Sequence, residues 1–108
     1  MTSPDIRLSN AALRVLLAIW QGPQGGLSGA QISKATSVGS GTLYPLLARL
    51  EKAGWLVGDW EAVDPRQVQR PRRRFYRLTA LGGASARDEF SKLQVRTGEP
   101  QWASTKVF

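Results

Sequence analysis

GSGTLYPLLARLEKAGWL, residues 39–56, is the stretch from which the rest of the chain can be read. Leu43, Leu46, Leu47 and Leu50 recur at helical spacing, so one stripe of the predicted helix is apolar and faces a core. Thr42, Pro45, Arg49 and Lys52 lie on another side, spaced by three, four and three, a neutral-to-basic stripe wide enough to lie against an anion. Glu51 falls off that stripe. Pro45 removes one backbone bond and crowds the carbonyl of Gly41. Because glycine relieves some of that crowding, a loose or bent first turn is expected rather than a break. Ala53 and Gly54 end the helix, glycine taking the left-handed stop most cheaply. WLVGDWE then reads as a strand, and RRRFYRLT as a second strand beyond a basic loop. Helix, strand, arginine-rich loop and strand together make a recognition helix with a wing.

Upstream, residues 1–8 are polar and expected to form a flexible arm. Ser9 or Asn10 can cap a first helix whose apolar face is Leu13, Leu16, Leu17 and Trp20, with Gly22-Pro23 as its stop. QGGL, residues 24–27, reads as a turn or a very short strand. Ser28 and Gln31 stand three apart, the spacing of a capping box, and start a second helix through about Ala35 with Ile32 and Ala35 inward. Residues 36–39 turn into the third helix, and this pair of helices joined by a short glycine-containing turn matches the helix-turn-helix unit.

Downstream, the strands are expected at Leu56–Glu61 and Arg74–Thr79, flanking AVDPRQVQRPRR, residues 62–73. Tyr76 and Leu78 share a face and should point to the core, with Phe75 and Arg77 pointing away. Six arginines and no acid lie between Arg66 and Arg77. Such a run repels itself unless an anion offsets it, and a phosphate backbone would do so. Thr79 caps a last helix from Ala80 to about Val95. Its Leu81, Ala84, Asp88 and Leu93 form no clean stripe, and Gly82 and Gly83 weaken it by ~1 kcal/mol each, so it needs a partner. Residues 98–108 are a tail without periodicity.

Composition narrows the function. A chain of 108 residues is one domain. Its net charge of +7 exceeds what solubility needs and points to a polyanionic partner. With no cysteine and no histidine there are no disulfides, no thiolate catalysis and none of the usual zinc ligands. The longest apolar run, Val15 to Trp20, is far short of the ~20 residues a membrane span needs. No basic region followed by an apolar core opens the chain, so the cytoplasm is expected. Asp59 and Glu61 share one strand face and mimic a carboxylate pair. No nucleophile motif or glycine phosphate loop accompanies them, so they read as a solvated face. Neither an enzyme nor a cofactor is expected.

GTLYPLLARLEKAGW, residues 41–55, and RPRRRFYRLTALG, residues 70–82, taken in this order and at this distance, resemble the PadR family of bacterial transcriptional regulators. The similarity runs from about Leu8 to Leu93. It implies a fold that is mainly α with a small β-hairpin, a winged helix-turn-helix over residues 9–79 followed by a C-terminal dimerisation helix over residues 80–97. It also implies a homodimer that represses nearby genes by binding double-stranded DNA at a palindromic operator. Many members of that family respond to small aromatic or cationic compounds, so the resemblance leaves a small aromatic effector open as a further partner, its site unassigned. The sequence departs from the family in a short last helix and in QVQRPRRR, where a glycine more usually precedes the RPR segment.

The residues expected at DNA are Ser40, Thr42, Tyr44, Arg49 and Lys52 on the helix, and Arg70, Arg72, Arg73 and Arg74 on the wing. Thr42 and Tyr44 lie near the helix N-terminus, where free amides and the dipole favour a phosphate, and the resemblance also puts these two at DNA. Arg49 is placed to reach a guanine edge, worth ~1–3 kcal/mol of discrimination if bidentate. Most of the wing arginines should position rather than specify, and Arg70 or Arg72 is placed to enter the minor groove. The bland alternatives are a packing role for Tyr44, a surface ion pair between Arg49 and Glu51, and a basic strand edge for the arginines. Trp20, Trp55 and Trp60 are expected in the core or a dimer contact. The competing functions are a winged-helix protein-interaction module and a non-specific DNA-binding protein.

Overall fold

The computed structural model describes residues 9–92. Helix α1 (Asn10–Gln21) leads to a two-residue strand β1 (Leu27–Ser28), then to helices α2 (Gly29–Thr36) and α3 (Ser40–Lys52). Strand β2 (Leu56–Trp60), a single turn α4 (Pro65–Val68), strand β3 (Arg74–Leu78) and helix α5 (Ala80–Lys92) complete it. The expected 1–8 arm, the 98–108 tail with Trp102, and residues 93–97 of the expected last helix lie outside the described residues.

Each helix start has a local cause. Ser9 accepts from the Ala12 amide at 3.1 Å and caps α1. Ser28 and Gln31 bond reciprocally, at 3.2 and 2.8 Å, to form the expected capping box on α2. Thr79 accepts from the Gly82 amide at 2.9 Å and donates to the Gly54 carbonyl at 2.5 Å, so it also ties α5 to the end of α3. Helix α3 runs unbroken through Pro45. In its first turn both the Thr42 and Leu43 amides reach the Gly39 carbonyl, at 3.1 and 2.8 Å, a slight tightening in place of the expected bend. Gly54, at φ 83°, takes the left-handed stop after Ala53.

The leucine stripe of α3 is buried as expected, packed with Val15 and Leu16 of α1 and Ile32 of α2. Each such side chain is worth ~1.5–3 kcal/mol of transfer free energy. The inward face of α1 is turned from the one expected. Ala12, Val15, Leu16, Ile19 and Trp20 are buried, while Leu13 and Leu17 are half-buried at the margin. On α2, Ile32 is buried but Ala35 is exposed, and Thr36 takes the inward place because its hydroxyl can donate to the Ile32 carbonyl at 2.7 Å.

The wing is a three-stranded antiparallel sheet in the order β1-β3-β2 rather than a bare hairpin. Leu27 pairs with Tyr76, Gly58 with Tyr76 on the other side, and Trp60 with Arg74. Tyr76 is buried and Leu78 packs on the core, while Arg77 is exposed. Trp20 and Trp55 are core residues, but Trp60 is 62% exposed, since the last residue of β2 extends past the core. The wing loop holds the turn α4, capped by Asp64, whose carboxylate accepts from the Arg66 amide at 2.9 Å. On α5 the buried residues are Gly82, Gly83, Ala86 and Phe90. Gly82 presses against the Trp55 backbone, 2.7 Å from its carbonyl carbon and 2.8 Å from its Cα as measured from where a Cβ would stand. The glycine that weakens α5 as a helix is therefore what lets it approach the Trp55 backbone, just ahead of β2.

Candidate nucleic-acid interface

Ser40, Thr42, Tyr44, Pro45, Arg49 and Lys52 are all exposed on α3, outside its buried leucine stripe. No side chain caps this helix, whose N-cap is Gly39, so the Ser40 and Gly41 amides have no side-chain acceptor. Tyr44 is 47% exposed, and its ring lies across the first residue of α2, so close that a Cβ at Gly29 would stand 2.7 Å from the ring. It therefore packs the two helices together while leaving one side to solvent. Arg49 has no ion-pair partner among the described residues, since Glu51 is engaged elsewhere.

The arginines of the wing divide into two groups. The run from Arg66 to Arg77 was expected to lack neutralising acids, but acids outside the run supply them. Arg70 forms a two-pronged pair with Glu61, at 2.7 and 3.0 Å, and Glu61 also accepts from the Arg73 amide at 3.2 Å. The Arg70 hydrogen bond pulls the Glu61 carboxyl down from its ordinary 4.5 to about 2, and the Arg70 guanidinium is held up in turn. Arg74 pairs with Glu51 of α3 at 2.5 Å, and Arg77 pairs with Asp59 at 3.1 Å. Asp59 and Glu61 thus serve separate arginines, and do not form a carboxylate pair. Arg72 donates from Nε to the Val63 carbonyl at 3.0 Å, leaving its other nitrogens outward. The Arg66 and Arg73 side chains are exposed and unpaired among the described residues.

The structure therefore leaves Ser40, Thr42, Tyr44, Arg49 and Lys52 all exposed on α3, with Thr42, Arg49 and Lys52 along one side and Ser40 and Tyr44 toward α2, and leaves Arg72 and Arg73 free on the wing. Arg70 and Arg74 are committed to carboxylates. Reading the sequence missed Glu51 and Glu61 as partners and missed α4. For α4 a signal existed: Asp64-Pro65 is an N-cap followed by proline at the first helical position.

A hollow of about 450 Å³ lies between α1 and α5, lined by Asn10, Leu13, Arg14, Leu17 and Phe90. Its lining is mostly apolar with one cation at the rim. Among the described residues no cluster of acids could hold a metal ion, and no helix is long and apolar enough to cross a membrane.

Compared with known proteins, residues 16–88 match the family described as "Transcriptional regulator PadR-like family". No curated protein matches the chain. Among solved structures, apo MarR from E. coli superposes with a TM-score of 0.64 at 24% identity, over 78% of this chain and 56% of that one. A PadR-like transcription factor from Bacteroides fragilis gives 0.61 at 23% identity, over 76% of this chain and 79% of that one. MepR from S. aureus, solved as a complex with DNA, gives 0.58 at 25% identity, over 81% and 70%. The chain spans little more than half the length of MarR.

Proposed function

The chain belongs to the PadR-like family of transcriptional regulators, DNA-binding winged-helix proteins, and from that premise we propose that it is a homodimeric repressor of a palindromic operator. The observation that carries this reading is the open side of α3, where Thr42, Pro45, Arg49 and Lys52 are all exposed at spacings of three, four and three along a helix that starts without a side-chain cap. That face suits a major groove, with Ser40, Thr42 and Tyr44 on phosphates and Arg49 on a guanine edge. Lys52, Arg66, Arg72 and Arg73 add sequence-independent contacts to the backbone. An acidic protein partner would be served by the wing alone and gives no reason for a neutral-to-basic helix face. MepR, of the same fold, is found bound to DNA, which supports the same choice.

Dimerisation through the C-terminal helix is supported by the apolar hollow between α1 and α5, where Leu13 and Leu17 are left half-buried in the single chain. A small aromatic effector held at the dimer centre would alter the spacing of the two α3 helices. The test is selection of bound duplexes from a random-sequence pool. It should return an inverted repeat with half-sites ~10 bp apart centre to centre, or a multiple. A pool that shows no enrichment, or a single unrepeated site, overturns the proposal.

A further inference from the structure

The wing arginine nearest the recognition helix is not disposed as a contact residue. Arg74 opens β3 and stands opposite Trp60 of β2 in the register of the sheet. Its Nη2 donates to the Glu51 carboxylate of α3 at 2.5 Å and approaches the Gly58 carbonyl at 3.3 Å. The guanidinium carbon lies 5.6 Å from the centroid of the Trp60 ring and 5.8 Å from that of Tyr76. Its Nε is buried without a hydrogen-bond partner. The one cation therefore touches α3, β2 and β3 together. Gly58 makes this possible, because a Cβ there would collide with Arg74 Nε. The exposed Trp60 is also accounted for: its indole lies over the cation, while the Glu51 pair stays partly open to water.

We infer that Arg74 is a positioning residue: with Glu51, Gly58 and Trp60 it braces the wing against the C-terminal end of the recognition helix and so fixes which base pairs the two can engage at once. The inference rests on the DNA-binding reading and deepens it. The pair has no net charge, so it adds little to the attraction of DNA. Drawing the guanidinium onto a phosphate would strand the Glu51 carboxylate beside a polyanion and break both ring contacts. A lysine would keep the charge but lose the planar fit between the rings.

The test compares Glu51→Gln, Arg74→Lys and Gly58→Ala with the parent protein, on the tightest duplex recovered by random-pool selection and on a random duplex of equal length. The brace predicts that each variant lowers the ratio of the two affinities about fivefold, the scale of a partly exposed ion pair. Binding to the random duplex is retained, because the free cations are untouched. A merely structural role would lower the melting temperature and weaken both duplexes together, leaving the ratio unchanged, and that result overturns the inference. So does tighter binding of Glu51→Gln to both duplexes with Arg74→Lys like the parent, the outcome for an arginine that meets phosphate directly. Gly58→Ala changes no charge, so a lowered ratio there separates geometry from electrostatics. A parent protein that prefers no duplex would instead overturn the DNA-binding proposal itself.

Discussion

Replacing Arg73 with alanine should flatten the salt dependence of DNA binding, whereas Arg70→Gln should leave it unchanged. Both are cations of the same loop, and a reading by composition would treat them alike. In the structure Arg70 is held by both oxygens of Glu61, while the Arg73 side chain is exposed and unpaired among the described residues. With Arg49 assigned to a base, the cations left for phosphate are Lys52, Arg66, Arg72 and Arg73. That is about eight contacts across a dimer, for a log-log slope of affinity against salt of about −7. If Arg70, Arg74 and Arg77 also met phosphate, the slope would approach about −13. Arg73→Ala should reduce the magnitude by about 2, one contact from each subunit. The assay is fluorescence anisotropy of a labelled duplex over a series of potassium chloride concentrations. A parent slope near −13, or equal flattening by the two variants, would refute the division of the wing into paired and free arginines.

Four further perturbations probe other parts of the structure. Gly82→Ala should lower the urea midpoint despite the better helix propensity of alanine, because ~1–3 kcal/mol of overpacking against the Trp55 backbone exceeds a gain of ~1 kcal/mol. Gly41→Ala, in open space on α3, should raise it, and a rise in both would show that α5 does not press on the Trp55 backbone. Arg49→Ala should relax preference at one base pair by ~1–3 kcal/mol with little change on a random duplex; uniform loss on all sequences would remove its reading role. The Glu61 carboxyl is depressed in the folded state, so its contribution to stability is complete above its ordinary value of 4.5 and is lost only as pH falls toward about 2. A carbon-detected NMR titration should find this group still ionised at pH 4, and an ordinary midpoint would contradict the clasp with Arg70.

Much of the fold was legible because its signals are local. The leucines of α3, the Ser28–Gln31 box and the Thr79 cap each lie within a turn or two of helix, where spacing alone determines who meets whom. The α1 face was misread because the helix is apolar almost throughout from Ala11 to Trp20, so residue size is a poor guide to the inward side. Trp60 was misplaced because burial statistics carry no information on where a strand outruns its core. The charge pairs of the wing lay beyond reach for another reason. Glu61 and Arg70 are nine residues apart and Glu51 and Arg74 twenty-three, and only the register of β2 on β3 and the docking of α3 on that sheet bring them together. The free helix face could be read from a list of residues, while the sorting of the arginines required the sheet. The close approach at Gly82 likewise depends on how α5 docks, which no single segment encodes.

The central claim is that α3 and the wing engage one duplex together. Chemical footprinting of the selected duplex measures this directly, with dimethyl sulfate reporting guanine N7 in the major groove and hydroxyl radical reporting the backbone. Each half-site should show a protected guanine, lost in Arg49→Ala, flanked by a protected backbone segment across the neighbouring minor groove, lost in the double variant Arg72→Ala/Arg73→Ala. Backbone protection without any protected guanine, or two footprints that disappear together in either variant, would contradict it.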